Sequence, residues 1–197
     1  MNIIQIGANR GNDDVSQIIG SQQPNKLILV EPMKLHNNAL NTFYGWVHNK
    51  FIENIVIDIE SGKDVEFFYH ENDAPNYEIS SLSKEHFFKH PHVGNPDTPP
   101  FHEGLKSFFI KSLNINDLFK KYELNLIDIL FIDAEGHDDA IIKTIDFDNF
   151  KITNLYFENL HIKDNNIYSY LESKGYLITH QVGHNGWNSL AKFDLKF

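Results

Sequence analysis

Apolar and polar positions follow two rhythms along this chain. Short runs rich in Ile, Leu, Val and Phe fall at residues 3–6, 27–30, 52–57, 65–69, 107–111, 126–132, 152–157, 175–180 and 189–193. Runs of this length, bounded by turn residues, predict strands. Between several of them the apolar residues recur at helical spacing. Val15, Ile18 and Ile19 form one such face after a cap at Asn12 or Asp13. Leu35, Ala39, Leu40 and Phe43 form a second, and Ile115, Leu118, Phe119 and Tyr122 a third. Ala140, Ile141, Ile142 and Ile145 form a fourth, and Tyr168 and Leu171, stopped by Gly175, a fifth. Strands alternating with helices predict an α/β fold, a parallel sheet with helices on both faces. The last two runs, joined through Gly183 and Gly186, predict a closing antiparallel hairpin.

Residues 70–106 break the rhythm. They hold Pro91, Pro96, Pro99 and Pro100, together with His86, His90, His92 and His102, and show no strong periodicity. A stretch this long inside a compact domain is a lid, a binding loop or a disordered insertion. The flanking runs 65–69 and 107–111 can pair, which makes the segment one excursion from the sheet. No internal repeat is present, so residues 1–197 are expected to form one domain with an insertion at about 70–106.

The opening carries the first chemical signal. IIQIGANRG at 3–11 stops an apolar run at a glycine turn, and LILVEP at 27–32 ends a second run in an acid. This is a nucleotide-binding layout: glycines let backbone approach a ligand closely, and an acid at the tip of the second strand can take both ribose hydroxyls. Gly7, Ala8, Asn9 and Gly11 are therefore candidate cofactor-binding residues, their amides expected to face the cofactor beside a helix N-terminus. Glu31 is the candidate ribose ligand. A plain strand-to-helix turn and an ordinary surface acid are the alternatives.

Composition narrows the classes. The chain has 197 residues, 41% hydrophobic and 22% charged, and no cysteine, which excludes disulfides, Cys-ligated zinc and thiol catalysis. A net charge of −10 argues against nucleic acid as a partner, since that affinity comes from clustered Lys and Arg, and Lys120–Lys121 is the one adjacent basic pair. No transmembrane run or signal peptide is evident, so the expectation is a cytoplasmic protein with no membrane partner.

Three further elements follow in order: SSL ending at Leu82, SLNINDL at 112–118, and LFIDAEGHDDAII at 130–142. The last is close to the IDxEGxE signature of FkbM-type methyltransferases. With GANRG, LVEP and YFEN at 156–159, it makes the chain resemble that family along nearly its whole length. The resemblance implies a class I methyltransferase (Rossmann-like) fold: a seven-stranded, mostly parallel sheet with its last strand antiparallel. It also implies S-adenosylmethionine as cofactor and commonly methyl transfer to an oxygen of a small-molecule or glycan acceptor. Two departures stand out: Asp138 replaces the Glu usual two residues beyond the EG pair, and the His- and Pro-rich segment 86–104 has no counterpart. Members often carry an N-terminal segment before the first strand, which here begins almost at Met1. A cofactor-binding scaffold without transfer activity and a nicotinamide-dependent oxidoreductase are the rival readings; GxxxG in place of GxGxxG, together with IDAEG, argues against the latter.

The remaining candidates sit at strand ends. Asp58, after the run 52–57, can accept the exocyclic amine of adenine or be an exposed turn acid. Asp133 and Glu135 follow the strongly apolar run 126–132, where ligands of parallel sheets bind. Asp133 is the candidate beside the transferred methyl group or the acceptor, with roles in cofactor binding and catalysis. Asp133, Glu158 and Asn159 resemble the oxygen set that holds Mg²⁺ in catechol-type O-methyltransferases, or else they are packed loop polars. His137 and His161 are the candidate proton acceptors near those tips, unless they are surface histidines. His86 and His90 have the i,i+4 spacing of zinc ligands on a helix. No HExxH order is present and Pro91 interrupts a helix there, so the expectation for that segment is a polar, mobile lid. Phe87, Phe88 and Phe101 either cover a substrate or pin the segment down. The turn at 183–190 carries Trp187, exposed or half-buried, at a sheet edge that a homodimer could use.

Overall fold

The computed structural model describes residues 1–11, 14–162, 166–183 and 186–194. The chain threads ten strands: β1 (Asn2–Ile6), β2 (Lys26–Val30), β3 (Lys50–Glu53), β4 (Val56–Ile57), β5 (Asp64–His70), β6 (Leu105–Leu113), β7 (Leu126–Ile132), β8 (Lys151–Glu158), β9 (Tyr176–Val182) and β10 (Asn188–Phe193). Seven of these form one sheet in the order β3-β2-β1-β7-β8-β10-β9. β1, β2, β3, β7 and β8 run parallel, and β10 is antiparallel to both β8 and β9. The mostly parallel sheet and the closing hairpin are thus as the sequence predicts. The hairpin's turn at 184–185 and the cap at Asn12 or Asp13 lie outside the described residues.

The period of two along each strand divides the core into two layers. Ile4, Ile6, Ile28, Val30, Leu130 and Ile132 point to one face. There they meet α4 (Ile115–Lys121), α5 (Asp138–Thr144) and α6 (Asn166–Ser173) through residues such as Leu118, Ile142 and Leu171. Their sequence neighbours Ile3, Leu27, Leu29, Ile129 and Phe131 point to the other face. These meet Val15 and Ile19 of α1 (Asp14–Ile19) and Leu40 of α2 (Asn37–Phe43). No helix among the described residues is long and apolar enough to cross a membrane.

Two details depart from the sequence reading. The run 52–57 is not one strand. β3 ends at Glu53, and Asn54 turns its side-chain amide back onto the Glu31 carbonyl (2.8 Å). The chain then leaves the main sheet, and β4 pairs with β6 in a second sheet of order β4-β6-β5. The face Leu35, Ala39, Leu40, Phe43 is not all core either. Leu40 is buried, Leu35 lies 54% exposed in a 3-10 turn, and Ala39 and Phe43 line a cavity.

The predicted pairing of 65–69 with 107–111 is present, β5 and β6 running antiparallel from Asp64↔Lys111 to His70↔Leu105. The segment between them is a built cap rather than a loose polar lid. It holds three 3-10 turns (Glu71–Asp73, Lys84–Lys89, Pro91–Val93) and α3 (Pro99–Gly104). Ile79, Phe87, Val93 and Phe101 form a small core of its own. His70, fully buried, ties its two ends: Asn72 N–H donates to Nδ1 (3.1 Å), so the proton sits on Nε2, which donates to the Phe101 carbonyl (3.0 Å). Phe87 and Phe101 pin the cap, while Phe88 stays 44% exposed.

Candidate functional site

The carboxyl ends of β1, β2, β7 and β8 open into one cavity of about 1330 Å³, lined on the cap side by residues 76–80 and Leu82. That exceeds the roughly 300–1,000 Å³ of a pocket for one drug-sized ligand. This is the place where parallel sheets bind ligands, because the strand order reverses between β1 and β7.

One end is built around Glu31, which is buried. Its Oε2 accepts from Asn9 N–H (2.7 Å) and its Oε1 from Met33 N–H (2.8 Å). A carboxylate has about four acceptor positions, so each oxygen keeps one for a ligand hydroxyl. Burial pushes Glu31 up to about 7, against the pull of those two amides. Gly7 is required by close approach: a Cβ there would stand 1.9 Å from the Asp133 carbonyl oxygen, at φ +77°. This juxtaposition exists because Asp133 N–H donates to the Ile6 carbonyl, locking the two strand ends together.

The amides of the glycine loop are not free donors. Gly7 and Ala8 N–H both donate to the Val30 carbonyl, Gly11 N–H to Ala8, and Asn9 N–H to Glu31. The expectation that these amides face a cofactor is corrected accordingly: they hold the loop, and the loop presents Glu31. Gly7, Asn9 and Gly11 still line the cavity, whereas Ala8 is buried beneath it. Asn9 and Arg10 reach across to the cap, donating to the carbonyl and the side-chain oxygen of Asn76 (2.9 and 2.7 Å).

The other end is acidic and rich in histidine. Asp133, Glu135, Glu158, His137 and His161 all line the cavity, as do His90 and His92 from the cap. His137 Nε2 is 2.9 Å from Asp58 Oδ1. Asp58, read from sequence as an adenine contact or an exposed turn acid, stands behind an imidazole, in a recess shared with Ser81 and Ser83. Asn159 is turned away, donating through its side chain to Ser189 Oγ (3.4 Å), and does not line the cavity.

Burial and mutual repulsion raise the acids at this end. Glu158 is pushed to about 9, first by burial and then by Asp133 and Asp138. Glu135 lies well above the usual carboxylate range, through burial and then the charges of Asp133 and Glu158. Asp138, fully buried, is raised in the same way, by burial and then Asp133. The short Asp138 side chain clasps the two strand tips, accepting from Ala134 N–H (3.2 Å) and Glu158 N–H (3.3 Å). Burial and then His161 and His92 lower His90.

Of the residues expected from sequence, Gly7, Asn9, Gly11, Glu31, Asp133, His137, Glu158 and His161 share this one cavity. Sequence reasoning missed the imidazole–carboxylate pairing of Asp58 and the clasp of Asp138. It also missed that His86 and His90 meet His161 and Glu135, whose ligand atoms all lie within 4.8 Å of one another. The i,i+4 spacing of the first two was the available signal.

The sequence model of the Methyltransferase FkbM domain matches residues 5–178. No curated protein sequence matches the chain. Among solved structures, it is similar to a methyltransferase FkbM from Methylobacillus flagellatus KT. That match has TM-score 0.53 and 13% identity, covering 98% of this chain and 43% of that one. A weaker likeness, TM-score 0.41 and 10% identity, covers 98% of this chain and 70% of a ribosomal protein L11 methylase from Lactobacillus delbrueckii subsp. bulgaricus. The chain thus spans less than half the length of the first of these relatives, and the likeness shows a common fold.

Proposed function

The chain belongs to the FkbM methyltransferase domain family, and we propose that it moves a methyl group from S-adenosylmethionine to a hydroxyl oxygen of an uncharged small molecule or glycan. The observation that carries this reading is that one cavity joins a ribose-type acid, Glu31, to an imidazole–carboxylate pair, His137–Asp58. Its volume supports a cofactor and an acceptor together.

When bound, the cofactor supplies a methyl carbon made electrophilic by a sulfonium sulfur. Glu31 uses the free lone pairs of its two oxygens for the ribose hydroxyls, while Val56 and Ile57 offer an apolar wall to the base. A neutral alcohol is a poor nucleophile, so the reaction needs a proton acceptor. The Asp58 carboxylate fixes the tautomer of His137 with its proton on Nε2, leaving Nδ1 to take the acceptor's proton. Asp58 then stabilises the imidazolium. Positioning of the two ligands and exclusion of water under the cap supply much of the rest. Among the described residues the cavity wall carries six acidic side chains and four histidines, with Arg10, whose guanidinium already holds Asn76, as its one Lys or Arg. That balance disfavours phosphorylated or carboxylated acceptors and supports a polyhydroxylated neutral one.

The test is methyl transfer from isotope-labelled cofactor to a panel of sugars and phenols, with phosphorylated sugars as the contrast. The expected result is labelling of a neutral hydroxyl acceptor. A protein that binds the cofactor yet labels none of the panel would leave a cofactor-binding scaffold as the better reading.

A further inference from the structure

Four side chains from three separate stretches of chain converge at the edge of the cavity. His86 lies in the 3-10 turn Lys84–Lys89 of the cap and His90 directly follows it. Glu135 sits on the loop after β7, in a left-handed conformation (φ +46°), and His161 follows β8. His86 Nε2 is 3.0 Å from Glu135 Oε2, and His161 Nε2 is 3.8 Å from the same oxygen. The imidazole rings stand 4.4 Å (His86–His90), 4.7 Å (His86–His161) and 5.5 Å (His90–His161) apart between centroids.

We propose that His86, His90, His161 and Glu135 bind a first-row divalent transition ion of the zinc type, fastening the cap to the sheet tip. The inference does not depend on methyl transfer. Ligand atoms around a tetrahedral zinc stand roughly 3.4 Å apart, given Zn–N and Zn–O bonds of about 2.0–2.1 Å. The two separations to Glu135 bracket that value, and all four ligand atoms lie within 4.8 Å of one another. Three imidazole nitrogens with one carboxylate oxygen suit zinc, iron, nickel or copper ions, whereas magnesium and calcium prefer all-oxygen sets. This is a different set from the Asp133, Glu158, Asn159 group expected from sequence.

A second observation points the same way. His90 Nε2 and, beside the cluster, Glu158 Oε2 are buried without a hydrogen-bond partner among the described residues. Buried polar atoms of this kind are costly unless satisfied. A cation takes the lone pair of His90 directly, and Glu158 stands beside it, with Oε1 3.7 Å from His161 Nε2. The neighbouring histidines do not belong: His92 is half exposed near Asp73 (3.9 Å), and His102 packs on the Phe101 ring. Two ligands come from the cap and two from the sheet tips, so binding holds the cap against the sheet.

The experiment titrates chelator-stripped protein with Zn²⁺ by calorimetry and with Co²⁺ by visible absorption, using Mg²⁺ as the contrast. Saturable, stoichiometric Zn²⁺ binding is expected, with tetrahedral-type Co²⁺ bands and no comparable Mg²⁺ uptake. His90→Gln, at a half-buried position, keeps its circular dichroism and weakens Zn²⁺ binding by more than the roughly 10–100-fold that loss of an outer-shell partner costs. His92→Gln leaves binding unchanged. Zn²⁺ raises the melting temperature of the wild type and not of His90→Gln. Unsaturable binding, or binding that survives His90→Gln and is lost in His92→Gln, overturns the proposal.

Discussion

The two ends of the cavity are built on opposite principles. At the glycine-loop end every backbone amide from Gly7 to Asn9 has a partner inside the protein, and Glu31 is held by two of them. At the cap end, Asp133, Glu135, Asp138 and Glu158 crowd together with several imidazoles, and His90 Nε2 and Glu158 Oε2 are buried there without hydrogen-bond partners among the described residues. At the first end the glycine-loop amides are paired before any ligand arrives, and they fix the position of one acid. The second holds charge that a proton, a cation or a polar ligand must offset. Fixed hydrogen bonds serve recognition of an invariant group, and unbalanced charge serves reactivity.

Substitutions break this contrast in graded ways. Gly7→Ala combines a φ of +77° with a Cβ at 1.9 Å from a backbone oxygen. It should cost roughly 2–6 kcal/mol in denaturant unfolding. Gly136→Ala at the other end meets nothing nearer than 3.5 Å, so its cost should be backbone strain alone, about 1 kcal/mol. Equal losses at both glycines would mean that the ends are equally tightly packed, contrary to the account.

His137→Ala should lower kcat by about 10²–10⁴-fold, the usual contribution of a general base, with cofactor affinity retained. Asp58→Asn should lower it less, because the imidazole keeps a hydrogen-bond partner but loses the carboxylate that fixes its tautomer. A His137 variant that loses cofactor binding and turnover in parallel would place that residue at the wrong end of the cavity.

Stability against pH gives a subtler effect. Glu31 at about 7 and Asp138, also raised, have folded-state values above their unfolded ones. The native state therefore holds more protons than the unfolded chain, and stability falls as pH rises through those values. Their contribution is fully present below the unfolded carboxylate range, at about pH 4. The melting temperature should decline from pH 5 to pH 8, and Asp138→Asn should flatten that decline. A melting temperature that rises over this window and is unchanged by Asp138→Asn would show that these acids are ionised at no cost.

The contrast also explains what could be read from sequence. Gly7 and Glu31 act through neighbours in a local strand-turn-strand pattern, and the apolar periodicities carry the sheet order of such folds. The pairing of β5 with β6 was legible because both strands are apolar and flank a segment without periodicity. The pairing of Asp58 with His137 was not legible, because the two lie 79 residues apart in the chain and no spacing rule joins them. The histidine cluster was half visible: the spacing of His86 and His90 is local, but Glu135 and His161 join only through the docking of the cap. Ser81 Oγ, donating to the Glu135 carbonyl (2.9 Å), is one contact that makes that docking. Asp138 looked like a shortened Glu, and its clasp on Ala134 and Glu158 depends on β7 lying beside β8.

The central claim is that Glu31 anchors a nucleoside-containing cofactor at the glycine-loop end. Titration calorimetry with S-adenosylmethionine at pH 8, on the wild type and Glu31→Gln with NAD alongside, tests it most directly. Saturable binding of S-adenosylmethionine alone is expected. Glu31→Gln should weaken it by about 10–150-fold, the worth of a charge-assisted hydrogen bond, and lowering the pH through about 7, where Glu31 takes up its proton, should weaken the wild type in the same direction. Absence of binding, or affinity indifferent to Glu31→Gln, would contradict the account.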